Sequence, residues 1–93
     1  MGIKDAPMKA NHEGVEIRVE SHSAMVGGFF RLFLNDECVD EGPGVLAETV
    51  VLRAAWPGDG PTREVIARVT MAWRNTTYAV EVGGEAVDLA VGD

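Results

Sequence analysis

Residues 64–89 read EVIARVTMAWRNTTYAVEVGGEAVDL. Val65, Ala67, Val69, Met71 and Trp73 place an apolar side chain at every second position, between Glu64, Ile66, Arg68, Thr70, Ala72 and Arg74. That period belongs to a strand with one face turned to a core. A two-residue turn at Asn75-Thr76 would set Trp73 opposite Tyr78, Met71 opposite Val80 and Val69 opposite Val82, with all the large apolar side chains on one side. A second turn at Gly83-Gly84, whose residues tolerate positive φ, would set Val80 opposite Val87 and Tyr78 opposite Leu89. The expected unit is a three-stranded antiparallel meander with one apolar face.

The same pattern occurs earlier in the chain. Phe30 to Asp40 aligns without a gap on Tyr78 to Asp88: Asn35 and Gly83 are 48 positions apart, and so are Gly27 and Asn75. Ile17 then falls on Val65 and Val19 on Ala67, so residues 14–41 form a candidate diverged copy of residues 62–89. Between the copies, Gly42-Pro43-Gly44 and Pro57-Gly58-Asp59-Gly60-Pro61 mark turns around a stretch with two periodicities. Val45, Thr49, Leu52 and Trp56 have helical spacing, whereas Thr49-Val50-Val51-Leu52 is β-rich. A strand over about 50–55 fits an all-β fold; the alternative is α+β with a short helix at 45–56. Two one-faced meanders bury their apolar faces most economically against each other. The expected fold is therefore a small antiparallel β-sandwich of about seven strands, two pseudo-symmetric meanders included. Residues 14–93 make one domain, and residues 1–13, polar and punctuated by Pro7, make a flexible leader.

An apolar strand, a turn, a Glu directly after it and a second strand occur in residues 30–40 and again in 78–89, with a long strand before the second hairpin. Over roughly residues 29–89 this resembles the β-sandwich repeats of the Fas apoptotic inhibitory molecule family. The turns depart from that family's acidic residue or Asn followed by Gly, because Asn35-Asp36 and Gly83-Gly84 stand there. The resemblance implies a non-catalytic β-sandwich that acts through protein contacts.

Composition narrows the function. The 93 residues hold 8 Lys and Arg against 15 Asp and Glu, for a net charge of −7, which disfavours nucleic acid and acidic membrane surfaces because both are gripped through clustered cations. No apolar run approaches the roughly 20 residues of a membrane span. Met1-Gly2 lacks the Ser or Thr that a myristoylation site needs, since Ala6 stands there. With one cysteine, Cys38, and no basic-then-apolar start, the expected setting is the cytoplasm. Asn75-Thr76-Thr77 matches a glycosylation acceptor by chance in that setting, and the paired glycines lack the Lys and helix of a phosphate loop.

Catalytic side chains are few: His12, His22, Cys38, Ser21, Ser23 and the carboxylates. Turns at Gly27-Gly28 and Asn35-Asp36 would set His22 opposite Phe33 and Phe33 opposite Cys38, about 9.6 Å between His22 and Cys38 and too far for a thiolate pair. Ser21 and Ser23 point away from His22. No catalytic constellation and no cofactor site is visible. Asp36, Glu37, Asp40 and Glu41 crowd the first hairpin and are candidate ligands for a hard cation, although their spacing is not that of an EF-hand. Arg31 is expected opposite Asp40.

Phe29 and Phe33 fall on the face away from the expected core. Either the segment around residues 50–56 covers them, or they form an apolar patch for a protein partner or a second copy of the chain. The candidate contact residues are Phe29, Arg31, Phe33, Cys38 and Trp56. The expected function is a non-enzymatic interaction or self-association module, with a small-ligand or cation-binding domain as the alternative.

Overall fold

The computed structural model describes residues 7–23, 28–45, 47–57 and 60–92. It is all-β, and residues 49–55 form a strand rather than part of a helix. The strands among the described residues are β1 (Met8–His12), β2 (Val15–Ser23), β3 (Gly28–Leu34), β4 (Glu37–Gly44), β5 (Thr49–Ala55), β6 (Glu64–Met71), β7 (Thr76–Val82), β8 (Glu85–Val87) and β9 (Ala90–Val91). They make two antiparallel sheets, one in the order β4-β3-β2-β1-β9 and one in the order β5-β6-β7-β8. Among the described residues no helix is long and apolar enough to cross a membrane.

Alternation decides which side chains meet between the sheets. Ile17 and Val19 of β2 and Phe30, Leu32 and Leu34 of β3 turn inward from the five-stranded sheet. Leu52, Val65, Ala67, Val69, Val80 and Val82 turn inward from the other, and all eleven are buried. Gly42 of β4 lets β5 come close, and Gly44 leaves room for the side chains of Phe30 and Met71. A Cβ on Gly44 would lie 2.7 Å from the Phe30 ring and 2.8 Å from Met71 Sδ, and one on Gly42 would lie 3.0 Å from Val50.

Both expected turns with residues suited to positive φ form. Asn35 and Asp36 have φ of 50° and 66°, and Gly83 and Gly84 have 58° and 84°, the left-handed pair of a tight hairpin. Each turn is tied back to its neighbouring strand, Asn35 N–H donating to Glu16 O (2.9 Å) and Gly83 N–H to Glu64 O (3.0 Å).

Three expectations are corrected. Residues 8–12, assigned to a flexible leader, form β1, which lies between β2 and β9 and joins β2 through Glu13 and Gly14 at φ of 51° and 79°. Residues 1–6 lie outside the described residues. The Asn75-Thr76 turn does not form. Met71 pairs with Thr76, Val69 with Tyr78, Ala67 with Val80 and Val65 with Val82, around a loop over residues 72–75 in which Ala72 N–H donates to Asn75 O (2.9 Å). The branched Thr76 resists the positive φ that a two-residue turn demands of its second residue. The slip is even, so every β7 side chain keeps its face, but Trp73 leaves the sheet and is 85% exposed.

The third correction concerns the first hairpin. His22 pairs with Phe29 and Ile17 with Leu34, again an even slip, and Gly28 is a strand residue, while Gly27 lies outside the described residues. On the other side of β3, Phe33 faces Cys38 as expected, but the register then shifts, leaving Val39 without an opposite residue, so that Leu32 faces Asp40 and Arg31 faces Glu41.

Two measurements check this architecture. Leu32→Ala removes a fully buried side chain from the middle of the core, and its urea unfolding should show a loss of about 2–5 kcal/mol. A chain that starts at Gly14 lacks β1 and leaves the β2 edge unpaired; its melting temperature should fall well below that of the full chain, and an unchanged value would make β1 dispensable.

Candidate functional site

The outer face of the five-stranded sheet gathers side chains from β2, β3 and β4. Phe29, Arg31 and Phe33 alternate with the buried Phe30, Leu32 and Leu34, so they point outward. Their β2 neighbours across the pairing are His22, Glu20 and Arg18, and those across β4 are Pro43, Glu41 and Cys38.

These groups form one continuous chain of contacts. The Arg18 guanidinium lies 4.4 Å from the Phe33 ring centre, close enough for attraction to the ring face. It donates to Glu20 (2.7 Å), Glu16 (3.1 Å) and Asp36. The hydrogen bond with Asp36 is the largest of the influences that raise the pKa of Arg18 above its ordinary value. Glu20 in turn bonds His22 Nε2 (2.9 Å), and the His22 ring stacks on Phe29 at 5.1 Å and 12°. Arg31 closes the line, 4.8 Å from the Phe29 ring and donating from Nε to Glu41 at 3.0 Å. Phe29, Arg31, Glu41 and Pro43 border a shallow groove of about 470 Å³.

The two phenylalanines are therefore covered in a way neither sequence alternative described. The β5 segment lies in the opposite sheet and sends Leu52 into the core. The cover comes instead from Arg18, Arg31 and His22 on the same face, and both rings remain half-buried. Four of the five candidate contact residues, Phe29, Arg31, Phe33 and Cys38, share this face; Cys38 is exposed.

Trp56 is elsewhere. It packs against the core beside His12 (5.6 Å, edge to face) with Arg63 at 5.7 Å from its ring. Arg63 grips Glu13 with two hydrogen bonds of 2.8 Å, and His12 Nε2 lies 3.1 Å from the same carboxylate. The Arg63 hydrogen bonds are the chief reason the Glu13 carboxyl is lowered from 4.5 to about 2.

The acidic hairpin is dispersed by its partners. Asp36 belongs to Arg18 and Glu41 to Arg31, while Asp40 accepts from the backbone N–H of Arg53 (2.8 Å) and of Glu41 (2.9 Å). Asp40, expected opposite Arg31, is turned by the register shift toward β5, where it caps an edge-strand donor. Among the described residues no group of three or more His, Cys, Asp or Glu could hold a metal ion. His22, expected opposite Phe33, stands instead against Phe29, four residues along β3 from the Phe33–Cys38 pair.

The sequence reading missed Arg18 and Glu20 as neighbours of the phenylalanines and set His22 against Phe33 where the structure sets it against Phe29. Their alternation in Glu16-Arg18-Glu20-His22 was a legible signal, but the assumed register put them against the wrong residues. No protein-family model matches the chain, and comparisons with curated proteins and with solved structures find no match.

The Glu13–Arg63 pair predicts a pH dependence. Because the folded carboxyl titrates lower than the unfolded one, its contribution to stability is complete above about 4.5 and is lost as the pH falls toward about 2. The urea midpoint of the wild type should fall through that window more steeply than that of Glu13→Gln; parallel profiles would mean that the pair adds nothing to folding.

Proposed function

We propose that this chain is a non-enzymatic β-sandwich that self-associates through the outer face of its five-stranded sheet. The observation that carries the reading is the alternating Phe29-Arg31-Phe33 row, which points away from the core and exposes half-buried rings bordered by guanidinium groups. Aromatic residues and Arg are the side chains enriched at protein contacts, because they present large area with little lost freedom and a charge that tolerates stacking. The face also bears both signs, Arg18 and Arg31 beside Glu16, Glu20, Asp36 and Glu41. Such a surface can complement itself about a two-fold axis, the commonest symmetry of small oligomers.

The two meanders are, in the same proposal, copies of one unit. Ile17–Leu34 and Val65–Val82 are equivalent pairs at a separation of 48 residues, as are the turn bonds from Asn35 to Glu16 and from Gly83 to Glu64. Only the first copy places phenylalanines on its outer face; the second has Thr77, Ala79 and Glu81 on the outward side of β7. The copies thus divide the labour, one for association and one for solvent.

Sedimentation of the wild type should show a concentration-dependent dimer, and Phe33→Asp should give a monomer with an unchanged β-type circular dichroism spectrum. Arg31→Glu, which reverses a charge on the same face and leaves the buried core side chains in place, should do the same. The exposed Cys38 thiol beside Phe33 offers a second readout, since its reaction with an aromatic disulfide should slow as dimer forms. A wild type that stays monomeric at hundreds of micromolar would overturn the proposal.

A further inference from the structure

Trp73 and Arg74 occupy the loop between β6 and β7, outside the face described above. The loop is held at its base by the Met71–Thr76 pairing and by the Ala72–Asn75 backbone bond, while Met71 also exchanges backbone bonds with the segment before β5, donating to Glu48 O (3.3 Å) and accepting from Ala47 N–H (2.7 Å). A fixed hairpin tip thus presents its largest side chain to water: Trp73 is 85% exposed, and Val91 across the cleft is 72% exposed. An indole in this position contributes little to the core.

The charge around it is equally unusual for this chain. Of the six arginines, Arg18, Arg31, Arg53, Arg63 and Arg68 each reach a carboxylate within 4 Å. Arg74 reaches none among the described residues, although the chain holds nearly two carboxylates for every cation. Arg74 borders an open cleft of about 440 Å³ with Trp73, Asn75, Thr76, Tyr78 and Val91, and it is the one charged residue among the described residues lining it. The volume lies within the range of ligand clefts.

We propose that this cleft binds an extended peptide segment of a partner protein in which a carboxylate stands next to an apolar side chain. Arg74 takes the carboxylate through its planar fork of donors. Trp73 and Val91 cover the apolar side chain, and the side chains of Asn75 and Thr76 are available to the peptide backbone. The excess negative charge of the chain does not forbid an acidic segment. At physiological ionic strength its field decays over about 8 Å, so the guanidinium, unpaired among the described residues, outweighs at contact distance the carboxylates farther away.

The test uses the full chain, labelled with ¹⁵N, and the blocked peptide acetyl-Leu-Glu-Leu-Glu-Leu-amide. The indole N–H signals of Trp73 and Trp56 are assigned with Trp73→Phe. Titration should move the Trp73 signal and leave Trp56 in place. Arg74→Gln, or replacement of both peptide glutamates by glutamine, should weaken binding about tenfold or more, as loss of a charged hydrogen bond does. Both substituted residues are exposed, so the variants should keep the wild-type melting temperature. A Trp73 signal unmoved at millimolar peptide would overturn the proposal. So would equal affinity for the glutamine peptide, or an Arg74→Gln variant that binds as tightly as the wild type.

Discussion

The alternation of side chains along β2 and β3 is the constraint on which the rest of the molecule depends. Ile17, Val19, Phe30, Leu32 and Leu34 must all face the other sheet, because they are its buried apolar cover from this side among the described residues. Once they do, the residues between them are committed to the outside, whatever their chemistry. Phe29 and Phe33 are outward for that reason alone. The row of Arg18, Glu20 and His22 opposite them follows from the same parity, and it converts two apolar rings into a half-covered surface that water and a second surface can both meet.

Parity also separates what was legible in the sequence from what was not. The apolar rows in residues 15–19, 30–34, 65–71 and 78–82 have period two whatever the loops between them do, so the all-β class, the two packed sheets and the membership of each face could be read directly. The strand at residues 49–55 was legible through its β-branched run. Register was not. Each misplaced turn slid its hairpin by four residues, an even number that leaves the burial of every strand residue unchanged, so no hydrophobic pattern could object. The second slip could have been detected at Thr76, whose branched side chain opposes positive φ. Gly83-Gly84 and Asn35-Asp36 were placed correctly because their residues accept it.

Register, invisible to pattern, decides the chemistry of the surface. With the two-residue turn, Trp73 would have been one more inward residue of β6; with the four-residue loop it stands in water beside Arg74, which has no carboxylate partner among the described residues. With an unbroken β3–β4 ladder, Arg31 would have met Asp40. The extra residue Val39 instead hands Arg31 to Glu41 and frees Asp40 to cap the backbone of Arg53 in the other sheet. β1 was hidden for a related reason. Glu13-Gly14 makes a tight turn with a Glu at positive φ, held by Arg63, which lies 50 residues away in the sequence and can be associated with Glu13 only when the fold is known.

The outer face and the loop cleft draw on arginine in opposite ways. Arg18 and Arg31 are already paired with neighbouring carboxylates, so what they would offer a partner is mainly the flat guanidinium surface over a ring, and the proposed association there has to be won by area and shape. Arg74 has no such neighbour among the described residues, so an incoming carboxylate need not displace one already in place. An existing ion pair costs a partner its desolvation before anything is gained, whereas a guanidinium without one has its fork of donors free for the incoming carboxylate. The proposed self-association therefore calls for a broad contact on the face, and the proposed peptide site for a small charged one in the cleft.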